Sequence, residues 1–136
     1  MSTLMVGLLF AAPSSPGADT WPMTFRGRWE VTNPWAEKEQ MILEKDGTII
    51  IRRSILDKNG DPQPVEFRGK WYVKHYNKTA YDPAASYFFY KVRSETAGPE
   101  EGTWHVKTLK SKDEILMRTI PRPNNPAKDI IFRRYK

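Results

Sequence analysis

Phe67-Arg-Gly-Lys-Trp71-Tyr-Val73 nearly repeats Phe25-Arg-Gly-Arg-Trp29-Glu-Val31 and is echoed by Gly102-Thr-Trp104-His-Val106. Side chains alternate with period 2 along a β-strand, so Gly-x-Trp-x-Val puts glycine, indole and valine on one face. The intervening residues are Arg26, Arg28 and Glu30 in one copy and Arg68, Lys70 and Tyr72 in another. Their polarity makes each copy a half-buried strand. Three strands that open alike point to an all-β chain.

Outward from these motifs, strand and turn signals alternate from Trp21 to the C-terminus. They predict eight strands, at about 24–32, 38–45, 48–56, 65–76, 86–94, 102–110, 113–120 and 129–135. Asp46-Gly47 is a two-residue hairpin signal between Met41/Leu43 and Ile49/Ile51. The stretches Asp57–Pro64, Asn77–Ala85, Thr96–Pro99, Lys110–Asp113 and Pro121–Pro126 supply further turns. Pro34 to Met41 is the one place where a short helical turn competes. Each strand is joined to its neighbour with no long crossover, and such an antiparallel meander closes most economically into an up-and-down barrel without exposed edges.

At 136 residues the chain is one domain, read as a barrel over 21–136 preceded by an extended N-terminal arm over 1–20. Residues 3–12, TLMVGLLFAA, are apolar and run into Pro13-Ser-Ser-Pro-Gly-Ala18. This has the form of a signal core and cleavage zone but lacks a basic front end, and it is too short to span a bilayer. Two readings stand side by side. A targeting segment would place the protein outside the cell or in an organelle lumen, and a retained arm would hold it against a partner or a membrane surface. Lys and Arg number 22 against 16 Asp and Glu, and the resulting +6 favours anionic partners. The absence of cysteine excludes disulfides, thiolate chemistry and cysteine metal sites.

With Gly27-x-Trp29 early, a meander of strands and a basic final strand, the chain resembles the lipocalin-like (calycin) β-barrels over roughly 21–136. The resemblance implies that Trp29 lies across the closed end of the barrel with Arg133 or Arg134 packed over its indole. It also implies an open end that takes a small, mostly apolar molecule. Repetition of Gly-x-Trp at 69–71 and 102–104 departs from the family's single copy. It indicates a structural use, glycine letting a neighbouring strand or ring approach closely.

Alternation projects Phe25, Trp29, Val31, Met41, Leu43, Ile49, Ile51, Phe67, Trp71, Val73, Phe88, Tyr90, Val92, Trp104, Val106, Ile115, Met117, Ile130 and Phe132 inward. Such a set either fills an eight-stranded barrel or lines a cup for one small apolar ligand. In the second case Trp71, Phe88 and Val106 form the wall and His75 and Tyr90 the polar handles. His105 falls outward, and two histidines on opposite faces make no metal site. The chain has neither a nucleophile elbow nor a phosphate-cradling glycine loop. Glu100-Glu101 and Asp113-Glu114 read as solvated turn residues. The expectation is a non-enzymatic protein without cofactor or metal.

The outward faces of strands four and five are less ordinary. Arg68, Lys70, Tyr72, Lys74 and Tyr76 alternate along one, and Tyr87, Phe89, Lys91 and Arg93 along the other. An aromatic surface rimmed by cations marks an interaction site. Cross-strand pairing that stiffens the sheet, or cover by the arm, would explain it equally. A protein partner or an anionic membrane surface fits better than nucleic acid, since no RNA-recognition or cold-shock signature occurs. Two functions follow: a barrel that binds a small apolar ligand, or an accessory subunit docked through this face and the arm.

Overall fold

The computed structural model describes residues 20–32, 38–75 and 86–135. Eight strands run β1 Gly27–Thr32, β2 Glu39–Leu43, β3 Thr48–Leu56, β4 Pro62–His75, β5 Ser86–Ser94, β6 Gly98–Ser111, β7 Glu114–Thr119 and β8 Asp129–Arg134. They pair antiparallel in chain order and close into a barrel through β1 and β8, where Trp29 faces Arg134 and Val31 faces Phe132. The expected up-and-down barrel is the fold. Every side chain projected inward by alternation is in its buried core.

Differences lie at strand ends. Glu39 to Met41, where a helical turn competed with the second strand, belong to β2 as the strand reading had it, and residues 34–37 lie outside the described ones. Among the described residues a helical turn forms at Met23–Phe25. β4 begins at Pro62 and β6 at Gly98, inside stretches expected to be turns. The prolines tolerate this because of where they sit. Trp71 and Val73 donate their N–H groups to Gly47 and Thr20 on the β3 side, so odd positions of β4 bond towards β3. Pro62 and Pro64 therefore point their missing N–H groups the other way, along a segment that β5 does not reach, since β4–β5 pairing starts at Arg68. Proline there leaves no free donor to recruit another strand.

The closed end is built from β1 and the segment before it. Trp29 is fully buried and donates Nε1–H to Phe25 O at 2.7 Å. Of the two arginine candidates, Arg134 takes the expected position over Trp29, its guanidinium 4.1 Å from the indole centre. It also donates to Arg26 O, Thr24 O and Lys112 O at 2.6–3.1 Å. Arg133 points outward to Glu114 at 3.9 Å. Replacing Arg134 by Met should lower the unfolding free energy by about 1–3 kcal/mol, because several carbonyls lose a charged donor. Arg133→Met should stay within about 0.5 kcal/mol. Equal losses in urea unfolding would refute this division.

Each Gly-x-Trp glycine admits something a side chain would block. At Gly102 an added Cβ would lie 2.5 Å from the Tyr90 ring, and at Gly69 it would run into the backbone of Lys91 and Val92. Gly27 combines φ +117° with Arg134 Nη1 at 2.6 Å from that position. The repeated motif thus serves ring, strand and guanidinium in turn.

Candidate functional site

Inside the barrel, Trp71, Phe88 and Tyr90 are brought together with Trp104 and Phe132. Phe88 stacks on Trp104 at 5.6 Å between centroids and on Trp71 at 6.1 Å, and meets Phe132 edge-on at 5.9 Å. Tyr90 lies 5.1 Å from Trp104, and Phe132 continues the contacts to Trp29 at 5.9 Å. Val106 is buried beside them. Neighbouring rings in these geometries stabilise one another beyond the area they bury. His75 ends β4 opposite Ser86, and its side chain lies outside the described residues.

Beyond the rings, towards the end opposite Trp29, four polar groups converge; the sequence pointed to Tyr90 as a polar handle but not to the Arg53, Glu39 and Glu100 that gather with it. Arg53 forms a two-pronged bond to Glu100, Nη1 to Oε1 at 2.7 Å and Nη2 to Oε2 at 2.8 Å. Tyr90 donates its hydroxyl to Glu100 Oε2 at 2.9 Å. Arg53 also lies over the Phe67 ring at 4.8 Å and brings Nε to 2.9 Å from Glu39 Oε2. That last contact is an ion pair without hydrogen-bond alignment, so Nε and Oε2 are both left without a hydrogen bond. Glu100 is thus a strand residue holding an arginine and not the solvated turn residue expected.

Burial dominates the electrostatics. It pushes the Glu39 carboxyl up to about 7, against the pull of Arg53 and with the repulsion of Glu100. Burial also opposes ionisation of Glu100, yet its bonds to Arg53 and Tyr90 hold its pKa below the ordinary value. Tyr90 is raised by burial first and by the Glu100 charge second. The signal for this cluster was present: Arg53 shares the parity of Ile49 and Ile51, Glu39 that of Met41, and Glu100 that of Trp104.

On the outside, β4 and β5 place the predicted partner residues in cross-strand rows. Tyr72 opposes Phe89 and the rings stack at 4.9 Å and 12°. Lys74 Nζ sits 5.6 Å from the Tyr72 ring centre, and Tyr87 stacks on His105 of β6 at 5.0 Å. Lys70 opposes Lys91, and Arg68 opposes Arg93. Lys70, Lys91 and Arg93 are exposed and the aromatics half-buried, whereas Tyr76 lies outside the described residues. A groove of about 540 Å³ runs along this face between Lys70, Tyr72, Phe89 and Lys91 and the residues Ile120 and Arg122 of the β7–β8 connection.

Among the described residues no group of three or more His, Cys, Asp or Glu side chains is gathered as a metal would require. No helix among them is long and apolar enough to cross a membrane. Compared with known proteins, the chain matches no family model, no curated protein and no solved structure.

Proposed function

We propose that this chain is a non-catalytic, lipocalin-like β-barrel that works as an accessory subunit, docking to a partner protein through the outer face of β4 and β5. The observation that carries the reading is the Tyr72–Phe89 pair with two rows of opposed cations beside it on the same face, Lys70 with Lys91 and then Arg68 with Arg93. Like charges directly opposite on a sheet cost stability, so folding alone gives no reason for them, whereas an interface does. The interior favours the same reading over a ligand cup. Trp71, Phe88 and Tyr90 already contact one another or Trp104, and a ligand would have to displace them.

The test is the Tyr72→Ser/Phe89→Ser double variant. It should fold, at a cost of about 1 kcal/mol for the lost ring pair. Retention of the partner that co-purifies with the tagged full chain from its native source should fall more than about tenfold, since aromatic anchors carry about 2 kcal/mol or more each. Undiminished retention by the folded variant would end the docking proposal. Fatty-acid, retinoid-like and tetrapyrrole-like probes should leave tryptophan emission unchanged; a saturable change would favour the ligand-binding barrel instead.

A further inference from the structure

We infer that the groove between the outer face of β4–β6 and the β7–β8 connection seats an acidic segment of the partner protein, with carboxylates on Lys70, Lys91 and Arg122 and an apolar side chain against Ile120 and the Tyr72–Phe89 pair. This rests on the docking reading above and names its chemistry.

Charge complementarity selects the acidic occupant. Of the two opposed cation rows, among the described residues only Arg68 is ion-paired, to Glu66 at 2.8 Å, while Lys70 acts on Asp46 without a direct ion pair. Lys70, Lys91, Arg93 and Arg122 form no ion pair among the described residues. Glu101, the one acidic residue lining the groove among the described residues, stands opposite Lys91 in register but forms no ion pair with it. A partner carboxylate between Lys70 and Lys91 would relieve their repulsion, which makes the free face poised for an anion.

The apolar part decides against the other polyanions. Stacked bases need open ring faces, but Tyr72 already carries Phe89 at 4.9 Å and Lys74 at 5.6 Å, and Tyr87 carries His105. An anionic bilayer is met by protruding apolar side chains, and the most protruding ones among the described residues lie elsewhere. Met23 (77% exposed) is at the closed end and Leu56 (67%) at the β3–β4 turn, whereas Tyr72 and Phe89 are half-buried in a concave groove. Ile120, 39% exposed at the groove's edge, offers an apolar contact to an inserted segment.

The experiment titrates the full chain into a short fluorescein-labelled peptide of Asp and Glu around one Phe and reads anisotropy. Saturable binding is expected, and Lys70→Gln/Lys91→Gln should weaken it about tenfold or more and flatten its salt dependence. Lys45→Gln/Lys58→Gln removes the same charge from exposed turn residues elsewhere and should weaken it far less. Ile120→Ser should weaken it without changing the salt dependence. Equal losses from the two lysine pairs would reduce the effect to net charge and overturn the inference. So would tighter, Lys70- and Lys91-dependent binding to phosphatidylserine vesicles or to oligothymidylate. If no acidic peptide binds while Tyr72→Ser/Phe89→Ser still releases the native partner, the chemistry inferred here is wrong and the docking reading stands. If that double variant keeps its partner, the docking reading falls on its own test.

Discussion

Gly69→Ala is expected to be among the most damaging small substitutions in the barrel, lowering the unfolding free energy by about 3 kcal/mol or more. An alanine Cβ would overlap the carbonyl oxygen of Lys91 and approach Val92 Cα to 2.7 Å. Both obstacles are backbone, so no rotamer change relieves them. β4 and β5 would have to separate around Lys70–Lys91, where the hydrogen-bonded ladder joins the two strands that carry the aromatic face. Gly60→Ala is the control. Gly60 has φ +83° but nothing within 4 Å of an added Cβ, so it meets only the left-handed backbone penalty of about 1–2 kcal/mol. Chemical denaturation of both variants decides the matter. A Gly69→Ala protein no less stable than Gly60→Ala would mean that the strand spacing is not constrained as described.

Arg53→Met should be comparably costly, and its cost should depend on pH. Removing the arginine leaves Glu39 and Glu100 facing one another without a counterion, and breaking such a buried group by deleting one partner costs about 3–5 kcal/mol. Glu39 sets the pH dependence. Its folded-state pKa of about 7 lies above the ordinary carboxyl value of 4.5, so its stabilising contribution is full below the unfolded value and is lost as pH rises through the folded one. Glu100, held below its ordinary value, contributes in the opposite sense, with stability present at neutral pH and lost on acidification. Glu39→Gln should therefore gain on the natural protein between about pH 5 and pH 8, because the amide keeps the neutral form at every pH. The triple variant Arg53→Met/Glu39→Gln/Glu100→Gln should recover much of the stability lost in Arg53→Met, since removing all charges together leaves none unpaired. If Glu39→Gln instead loses ground as pH rises, the Arg53–Glu39 contact at 2.9 Å outweighs the burial of the carboxylate.

The architecture was legible because β-alternation is a local code. Gly-x-Trp-x-Val, the Asp46-Gly47 turn and the short connections each constrain a few neighbouring residues, and in an antiparallel meander neighbours in sequence are neighbours in space. The inward set could be read residue by residue, and so could the outward row of Arg68, Lys70, Tyr72 and Lys74. The same parity pointed Arg53, Glu39 and Glu100 inward, but residue chemistry argues against burying charge. Only the closed barrel shows that β3 and β6, far apart in the sheet order, bring a guanidinium to a carboxylate across the interior. Strand ends were also beyond local reading. Pro62 and Pro64 look like turn residues until the partner strand is known to lie only on the side where no N–H is needed. The choice between Arg133 and Arg134 followed from closure too, since the β1–β8 register sets Arg134 opposite Trp29. Sequence alone determined which residues alternate and where the chain turns, because those are short-range steric and hydrophobic constraints. Tertiary structure decided which charges meet, which glycines are crowded and how the cations of β4 and β5 oppose one another, because those depend on register between strands that no local pattern specifies.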